Sequence, residues 1–318
     1  MSVTALTYRL FKSGTNNWQA LEAAGGDPSG SWTPAWSLET DDAFCQELDI
    51  GTTIFSLTAP GPPIAGQEGS VKLSRTTNDY LASVRDRNPS KYGFFAAMPD
   101  LRNTAAALAE IEYAFDTLQA DGVMLLTRYG PTNMYLGHEA FSPIWTALNA
   151  RKAVVLVHPT HSIDTSLLAK NIPQPIVDYP HETTRAAVDI IMSNGRRNYP
   201  DVKVILSHAG GTMPYLAKRI ASLSDIQLVN KSVDEIAEDI ATFYFDVALS
   251  STNQTIETLL TCTTPDHILF GSDYPYAPRK TIDRFARELD ESFRGNKDLS
   301  FAINMGNAMR LFPRLNKQ

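Results

Sequence analysis

The sequence is poor in cysteine and contains no long apolar run. Its two cysteines, Cys45 and Cys262, are too few for a disulfide framework or for a structural zinc site built on thiolates. No stretch approaches the ~18 consecutive apolar residues that a membrane span requires, and the polar N-terminus does not resemble a signal peptide. We therefore expect a cytoplasmic protein that has no membrane partner.

An excess of positive charge is also missing. The chain has 28 Lys and Arg against 35 Asp and Glu, a net charge of −7, which argues against a nucleic-acid-binding surface. Hydrophobic residues make up 43% of the 318 residues, enough for a large core. The Pro/Gly-rich segments 25–37 and 171–184 are typical of loops rather than linkers. We expect residues 1–318 to form a single domain, since α/β barrels of this length commonly do.

Short apolar runs recur along the chain and alternate with amphipathic stretches such as 104–120 and 214–228. Most of the runs are continuously apolar, as parallel strands buried on both faces are. An open doubly wound sheet would also fit, but no G-x-G-x-x-G follows an early strand. The count of eight favours a (β/α)₈ TIM barrel. The eight runs lie at 3–10, 52–61, 92–100, 121–130, 152–161, 202–211, 242–251 and 267–278.

Polar side chains gather at the ends of the later runs. His158 and His161 follow the fifth, His208 follows the sixth, and Asp273 follows the eighth. In an α/β barrel these ends form the active site, and a buried histidine or carboxylate is costly without a partner. Imidazole and carboxylate together suit Zn²⁺, Mn²⁺ or a similar ion. The alternatives are a histidine bonded to a neighbouring backbone group and a helix-capping role for Asp273.

Other polar residues are weaker candidates for the active site. Arg128 and Tyr129 follow the fourth run, and we expect them to hold a planar anionic substrate, the alternative being a surface ion pair. His181, in the segment predicted as a loop, either contacts the substrate or packs within that loop. His138, in a polar turn, and His267, at the start of the eighth strand, are expected to be structural or exposed.

At these positions the chain resembles a known family. "HP" at 158–159, "SHAGG" at 207–211 and "FGSDYP" at 270–275 are similar to the amidohydrolase-like metal-dependent decarboxylases, the aminocarboxymuconate semialdehyde decarboxylase group. The match runs over nearly the whole chain. Stretches such as "YGFFAAMPDL", "DGVMLLTRYG" and "YLGHEAFSPIW" look most like the fungal 6-methylsalicylate decarboxylase branch, which serves polyketide pathways.

The resemblance implies a barrel, non-oxidative loss of CO₂ from an aromatic acid, and a dimer. In the family a divalent metal is held by an H-x-H or E-x-H pair from strand one, the strand-five histidine and the strand-eight aspartate. Carried over, this marks His158 and Asp273 as metal ligands and His208 as the catalytic neighbour or a further ligand. His161 and His181 join Arg128 and Tyr129 as expected substrate contacts.

The chain departs from the family pattern near its start. The family's histidine-rich segment should fall near 9–13, where this chain reads "RLFKS", and no histidine precedes His138. Two of four expected ligands are therefore missing, and Arg9 and Lys12 oppose a cation electrostatically. We expect a reduced or absent metal site.

Three hypotheses follow. In the first, the protein is an active decarboxylase in which Asp273 delivers the proton, His208 orients it, and Arg9, Lys12 or Arg128 replaces part of the metal's charge. In the second, the barrel performs changed chemistry such as hydrolysis or another polyketide tailoring step. In the third, it is a non-catalytic binding or dimerisation partner, or its N-terminus reflects exon choice.

Overall fold

A computed structural model describes residues 3–8, 16–226, 229–293 and 295–317. In this part of the chain, eight parallel strands form one sheet whose spatial order follows the chain order. Between them the chain runs through helices, so the prediction of alternating strands and helices is confirmed. The strands are β1 (Val3–Tyr8), β2 (Ile50–Ser56), β3 (Tyr92–Ala97), β4 (Gly122–Leu126), β5 (Val154–His158), β6 (Lys203–Leu206), β7 (Tyr244–Asp246) and β8 (Ile268–Leu269).

The two ends of the strand order meet at one segment of the chain. β1 and β8 both contact the π-helical turn Ala302–Gly306. The backbone N–H of Phe270, just after β8, donates to the Ile303 carbonyl at 3.2 Å. The sheet is thereby curled on itself, and the prediction of a (β/α)₈ barrel is confirmed. The outer helices are α1 (Asn16–Ala23), α2 (Leu38–Glu47), α3 (Gly66–Arg87), α4 (Thr104–Glu112), α5 (Ser142–Ala150), α6 (Asp178–Met192), α7 (Gly195–Asn198), α8 (Met213–Ala221), α9 (Val233–Ala241), α10 (Asn253–Leu259), α11 (Arg279–Ser292), α12 (Lys297–Phe301) and α13 (Asn307–Leu311).

The central strands are buried on both faces. Every residue of β3, β4 and β5 is buried, which explains why their sequences are continuously apolar rather than alternating. Helices pack around this sheet with one apolar side inward. α9 shows how the chain starts such a helix, because Ser232 and Glu235 form a reciprocal capping box at its N-terminus. No helix of the described ranges is long and apolar enough to cross a bilayer.

Two boundaries differ from the sequence prediction. The predicted helix at 104–120 is α4 followed by a π-helical turn at Tyr113–Thr117. The segment 171–184, predicted as a loop, is helical from Asp178 onward. The prediction rested on the Pro/Gly-rich composition of the segment. Pro180, however, occupies the first turn of α6, where backbone N–H groups have no partner within the helix and proline is tolerated.

Candidate active site

A cavity of about 560 Å³ lies at the carboxyl ends of the strands. His158 ends β5, His208 follows β6, and Asp273 follows β8, so the barrel brings these three predicted residues to one cavity. Most of the remaining wall is apolar or aromatic, a composition typical of a small-molecule site. It comprises Asp27, Ser31 and Trp32, then Thr58 and Ala59, then Pro173, Pro175, Ile176, Tyr179 and Pro180, then Leu249 and Ser250, and finally Tyr276, Ala277, Pro278, Thr281, Arg284 and Phe285.

His158 is buried and neutral. Its Nδ1 lies 2.7 Å from the Pro159 carbonyl oxygen, which only accepts, so Nδ1 carries the proton. The other ring nitrogen, Nε2, then presents its lone pair 3.4 Å from the Thr58 hydroxyl. Burial, with a smaller effect of His208, lowers the pKa of His158 to about 3. A neutral imidazole with one nitrogen fixed by a carbonyl is the form in which histidine binds metals.

His208 faces His158 across the cavity, with the two ring centroids 5.9 Å apart and the rings nearly perpendicular. Burial lowers its pKa to about 4, so this imidazole is neutral at physiological pH. Its backbone is left-handed, with φ of 54°, which is unusual for a residue other than glycine. The backbone N–H donates to the Asp246 carboxylate at 3.2 Å.

Asp273 supplies a carboxyl group to the same cavity. It is 8% exposed, and its carboxyl accepts no hydrogen bond from the part of the chain that the structure describes. Burial, and to a lesser extent the nearby Asp246, raise the pKa of Asp273 well above its ordinary value. A carboxyl group held in its protonated form can donate a proton at neutral pH.

The sequence analysis missed Asp246, the last residue of β7. It is fully buried, and burial raises its pKa to about 7. A lone carboxylate inside the apolar run "TFYFDVALSS" was the available signal, since a buried acid is rare without a specific partner.

The donors at the cavity have the right chemistry for a divalent ion. His158 offers the lone pair of its Nε2, and Asp273 offers carboxyl oxygens, with His208 beside them; these are ligand types that zinc and manganese accept. Within the described ranges, however, no three His, Cys, Asp or Glu side chains are grouped closely enough to form a metal site. The three residues are therefore not assembled as a complete ligand set. Positions 9–13, where the family has its other ligands, lie outside the described residues.

Arg128 and Tyr129 are not among the described residues that line the cavity, and their contact with substrate stays a prediction. The buried Arg128 guanidinium donates to the His161 carbonyl at 2.7 and 3.0 Å and to the Gly130 carbonyl at 2.9 Å. The Tyr129 hydroxyl accepts from the Leu126 N–H at 3.0 Å, and burial raises its pKa. The Arg128 guanidinium therefore holds loop backbone, and the Tyr129 hydroxyl holds the end of β4. Arg128 is 5% exposed, so its ion pair with Glu182 at 3.7 Å is buried rather than at the surface.

His161 and His181 are likewise outside the cavity wall. The His161 ring lies 3.3 Å from the Thr160 hydroxyl, and burial, with Arg128, lowers its pKa to about 4. His181 is exposed on α6. At 100° per residue it points about 200° away from Tyr179, which does line the cavity, so the helix turns His181 outward.

The two remaining histidines have structural positions, as the sequence indicates. The His138 Nδ1 accepts from the Ala140 N–H at 3.2 Å and caps a short helical turn. His267 immediately precedes β8, at the amino end of the barrel, and its ring packs against Tyr244 with centroids 4.2 Å apart.

The sequence analysis also missed the cation of the cavity. Arg284, on α11, is the one Lys or Arg among the described lining residues, and its guanidinium lies 5.1 Å from the Phe285 ring. Trp32, from the loop 24–37, adds an aromatic ring that is 56% exposed. Neither residue lies at a strand end, so a search for polar residues at the ends of the apolar runs could not find them.

Known proteins match this chain over most of its length. It is 48% identical over 300 residues to a 6-methylsalicylic acid decarboxylase of Penicillium expansum, covering 93% of this chain and 92% of the relative. The same identity holds over 306 residues with a 6-methylsalicylic acid decarboxylase of Aspergillus aculeatus, covering 94% and 93%. The amidohydrolase family model matches residues 11–314. The chain belongs to the amidohydrolase family.

Solved structures share this fold. A crystal structure of an amidohydrolase II protein superimposes with a TM-score of 0.85 and 26% identity, covering 98% of this chain and 100% of that one. A dihydroxybenzoic acid decarboxylase of Polaromonas, solved with bound manganese and 2-nitroresorcinol, gives 0.80 at 22% identity, covering 100% and 98%. The predicted family is confirmed, and the relatives named decarboxylases support the prediction of a carboxy-lyase.

Proposed function

We propose that this amidohydrolase is a non-oxidative decarboxylase of a small aromatic hydroxy acid such as 6-methylsalicylate, acting in fungal polyketide metabolism. The observation that carries this proposal is the position of Asp273, a buried carboxyl group with a raised pKa in the wall of a mostly apolar cavity. The identity of 48% to two proteins named 6-methylsalicylic acid decarboxylase supports the choice of substrate.

The reaction replaces the carboxylate of the ring by a proton. Asp273 delivers its proton to the ring carbon that bears the carboxylate, which interrupts the aromatic system. The bond from that carbon to the carboxylate then breaks, its electron pair restores the ring, and CO₂ leaves. Asp273 is left as a carboxylate and takes up a proton from water before the next cycle. Atoms and charge balance with the aromatic carboxylate and one proton consumed, and the phenol and CO₂ formed.

Other residues of the cavity orient the substrate. His208, neutral and opposite His158, accepts from or donates to the phenol oxygen next to the carboxylate. Arg284 pairs with the carboxylate of the entering acid, in the role that the sequence assigned to Arg128. Trp32 and Phe285 cover the ring faces and exclude water, which strengthens both polar interactions.

A divalent metal, zinc or manganese, would be held by His158 and by Asp273 in its ionised form. His208 lines the same cavity, but within the described ranges the three side chains are not grouped closely enough to form a complete site. Bound there, it would supply positive charge to the carboxylate and phenol oxygens as a Lewis acid. We expect its affinity to be well below that of a family member with the strand-one pair, because that pair is missing from the sequence and Arg9 and Lys12 stand at its place.

The proposed activity is tested with purified protein and 6-methylsalicylate. We expect release of CO₂ and m-cresol in equal amounts, with and without added manganese or zinc. 6-Methylsalicylate methyl ester, which has no free carboxylate, is the matched control and should not react. An absence of turnover under every metal condition would contradict the proposal.

The weakened metal site is tested separately by metal analysis and titration. We expect less than one equivalent of metal after purification, and a gain in affinity when Arg9 and Phe11 are both changed to histidine. Tightly bound zinc or manganese at one equivalent in the unaltered protein would show that the site is complete without the strand-one pair.

The single domain, the homodimer and the cytoplasmic location stay proposals drawn from the sequence. The first two are checked by limited proteolysis and by light scattering of the purified chain. A fluorescent fusion in the producing cell checks the third.

A further inference from the structure

A fully buried carboxylate lies beside the two loops that carry His208 and Asp273. Asp246 ends β7 at 0% exposure. Its Oδ1 accepts from the backbone N–H of His208 at 3.2 Å and from that of Ala248 at 3.0 Å. Burial of a carboxylate is costly unless hydrogen bonds compensate. Here those bonds come from two consecutive strand-end loops, after β6 and after β7.

The loop that carries His208 has an unusual backbone. His208 and Ala209 have φ of 54° and 56°, and both following glycines are also left-handed. For residues other than glycine such a backbone is strained, and it persists only where the surroundings impose it. A side chain at Gly210 would come within 2.8 Å of the Phe245 ring, so this loop rests directly on β7. The bond to Asp246 is made by the first residue of the left-handed segment.

The loop after β8 is also shaped around this carboxylate. A Cβ atom at Gly271 would lie 2.9 Å from the Asp246 Oδ1 and 3.1 Å from the Ala248 Cβ. The close approach of Asp246 therefore explains the glycine of "FGSDYP". This glycine, Gly271, lies two residues before Asp273. One carboxylate thus contacts or constrains the backbone beside both proposed catalytic groups.

We propose that Asp246 is a positioning residue of the active site. Its carboxylate holds the His208 N–H, keeps the left-handed loop in place and so directs the His208 ring into the cavity. Asp246 itself does not line the cavity, so it acts through His208. The kinetic consequence rests on the proposed decarboxylation, whereas the orientation of His208 is measurable without it.

The kinetic test compares Asp246→Ala with Asp246→Asn. Asparagine keeps an oxygen acceptor for both N–H groups, and alanine does not. Misplacing a catalytic group by about 1 Å can cost about 100-fold in rate. We expect the kcat of Asp246→Ala to be about 100-fold below that of the wild-type protein, with KM changed by less than about threefold. We expect the kcat of Asp246→Asn to be at least about tenfold higher than that of Asp246→Ala.

The direct test follows the six histidine side chains by NMR with selective carbon labelling, the His208 signal being assigned from His208→Asn. We expect Asp246→Ala to shift the His208 signal and Asp246→Asn to restore most of it. An unchanged His208 signal in Asp246→Ala overturns the proposal. So does an asparagine variant as impaired as the alanine variant in both tests. If the wild-type protein turns over no substrate, the proposed decarboxylation fails and the NMR result alone decides the role of Asp246.

A second variant and a control variant distinguish a specific effect on His208 from a general loss of stability. Gly271→Ala keeps Asp246 but places a methyl group 2.9 Å from its Oδ1, which forces the carboxylate to move. We expect this variant to shift the His208 signal and to lower kcat, as Asp246→Ala does. Asp239→Ala removes a buried carboxylate of α9 that pairs with Lys231 at 2.5 Å, away from the cavity. We expect this control to lower stability without shifting the His208 signal. An effect of Asp239→Ala on the His208 signal equal to that of Asp246→Ala would also overturn the proposal.

Discussion

Two groups of buried polar residues lie at the carboxyl ends of the barrel strands, and they differ in what their polar atoms contact. Around Arg128, every guanidinium contact is to protein: the carbonyls of His161 and Gly130, and the Glu182 carboxylate at 3.7 Å. Around Asp273, the polar groups face a cavity. A buried polar side chain that is used up by its own protein holds structure, whereas one that faces a cavity can act on a ligand.

The largest expected effect tests the cavity group. Asp273→Asn keeps the shape of the side chain but has no acidic proton to deliver. We expect kcat to fall about 10³-fold, within the range for loss of a general acid. Turnover of 6-methylsalicylate to m-cresol measures it, with thermal unfolding as the check on folding. A variant that retains more than a tenth of the activity would remove Asp273 from the proton-delivery role.

The next largest effect tests the Arg128 group, for which we expect a change in stability rather than in activity. Arg128→Met removes three hydrogen bonds to the carbonyls of His161 and Gly130. It leaves Glu182 buried beside the Tyr135 hydroxyl, which donates to it at 3.0 Å. Losing one partner of a buried charged pair costs about 3–5 kcal/mol. We expect a loss of about 3 kcal/mol in the free energy of unfolding, measured in urea, with kcat per folded molecule nearly unchanged.

Arg151→Met is the matched control for that loss. Arg151 pairs with Asp116 at 2.8 Å near the surface, where such a pair contributes at most about 1 kcal/mol. If Arg128→Met instead raised KM for the acid and left stability unchanged, Arg128 would contact the substrate after all, and the distinction between the two groups would fail.

Whether the sequence could predict a residue of these two groups depends on how far along the chain its partners lie. The apolar runs are local, and strand ends in a barrel meet by topology, so His158, His208 and Asp273 could be brought together from sequence. Arg128 has the same local appearance, but its partner is the carbonyl of His161, 33 residues away. No local pattern reports such a backbone partner.

The remaining differences from the sequence analysis have separate causes. Arg284 reaches the cavity from α11, beyond the strand-end positions that the sequence analysis considered. The segment of His181 was predicted as a loop from its Pro/Gly-rich composition, although proline is tolerated in the first turn of a helix. Asp246 could be recognised as unusual in its apolar strand, yet its bond to His208 depends on how β6 and β7 pair.

A smaller effect tests whether the cavity distinguishes an acid from a neutral ring. Arg284→Met removes the cation of the described cavity wall, and Arg287→Met removes a cation of the same helix that lies outside it. We expect Arg284→Met to raise KM for 6-methylsalicylate about tenfold, equivalent to about 1.4 kcal/mol. Inhibition by m-cresol, which lacks the carboxylate, should stay within twofold, and Arg287→Met should change neither. Equal weakening of acid and m-cresol would show that Arg284 only shapes the cavity.

The smallest effect concerns the pH dependence of stability and belongs to the Arg128 group. Burial and Arg128 lower the pKa of His161 to about 4 in the folded protein, below its ordinary value of 6.5. The unfolded chain therefore binds a proton at His161 that the folded protein does not, and stability falls as the pH drops from 6.5 toward 4. We expect His161→Asn to flatten the slope of unfolding free energy against pH in this window, by at most about 1.4 kcal/mol per pH unit. Urea unfolding at several pH values measures the slope, and Ser162→Ala, in the same loop but without a titrating group, should leave it as it is. An unchanged slope in His161→Asn would mean that the ring is as well hydrated in the folded protein as in the unfolded chain, and that the loop held by Arg128 is open to water.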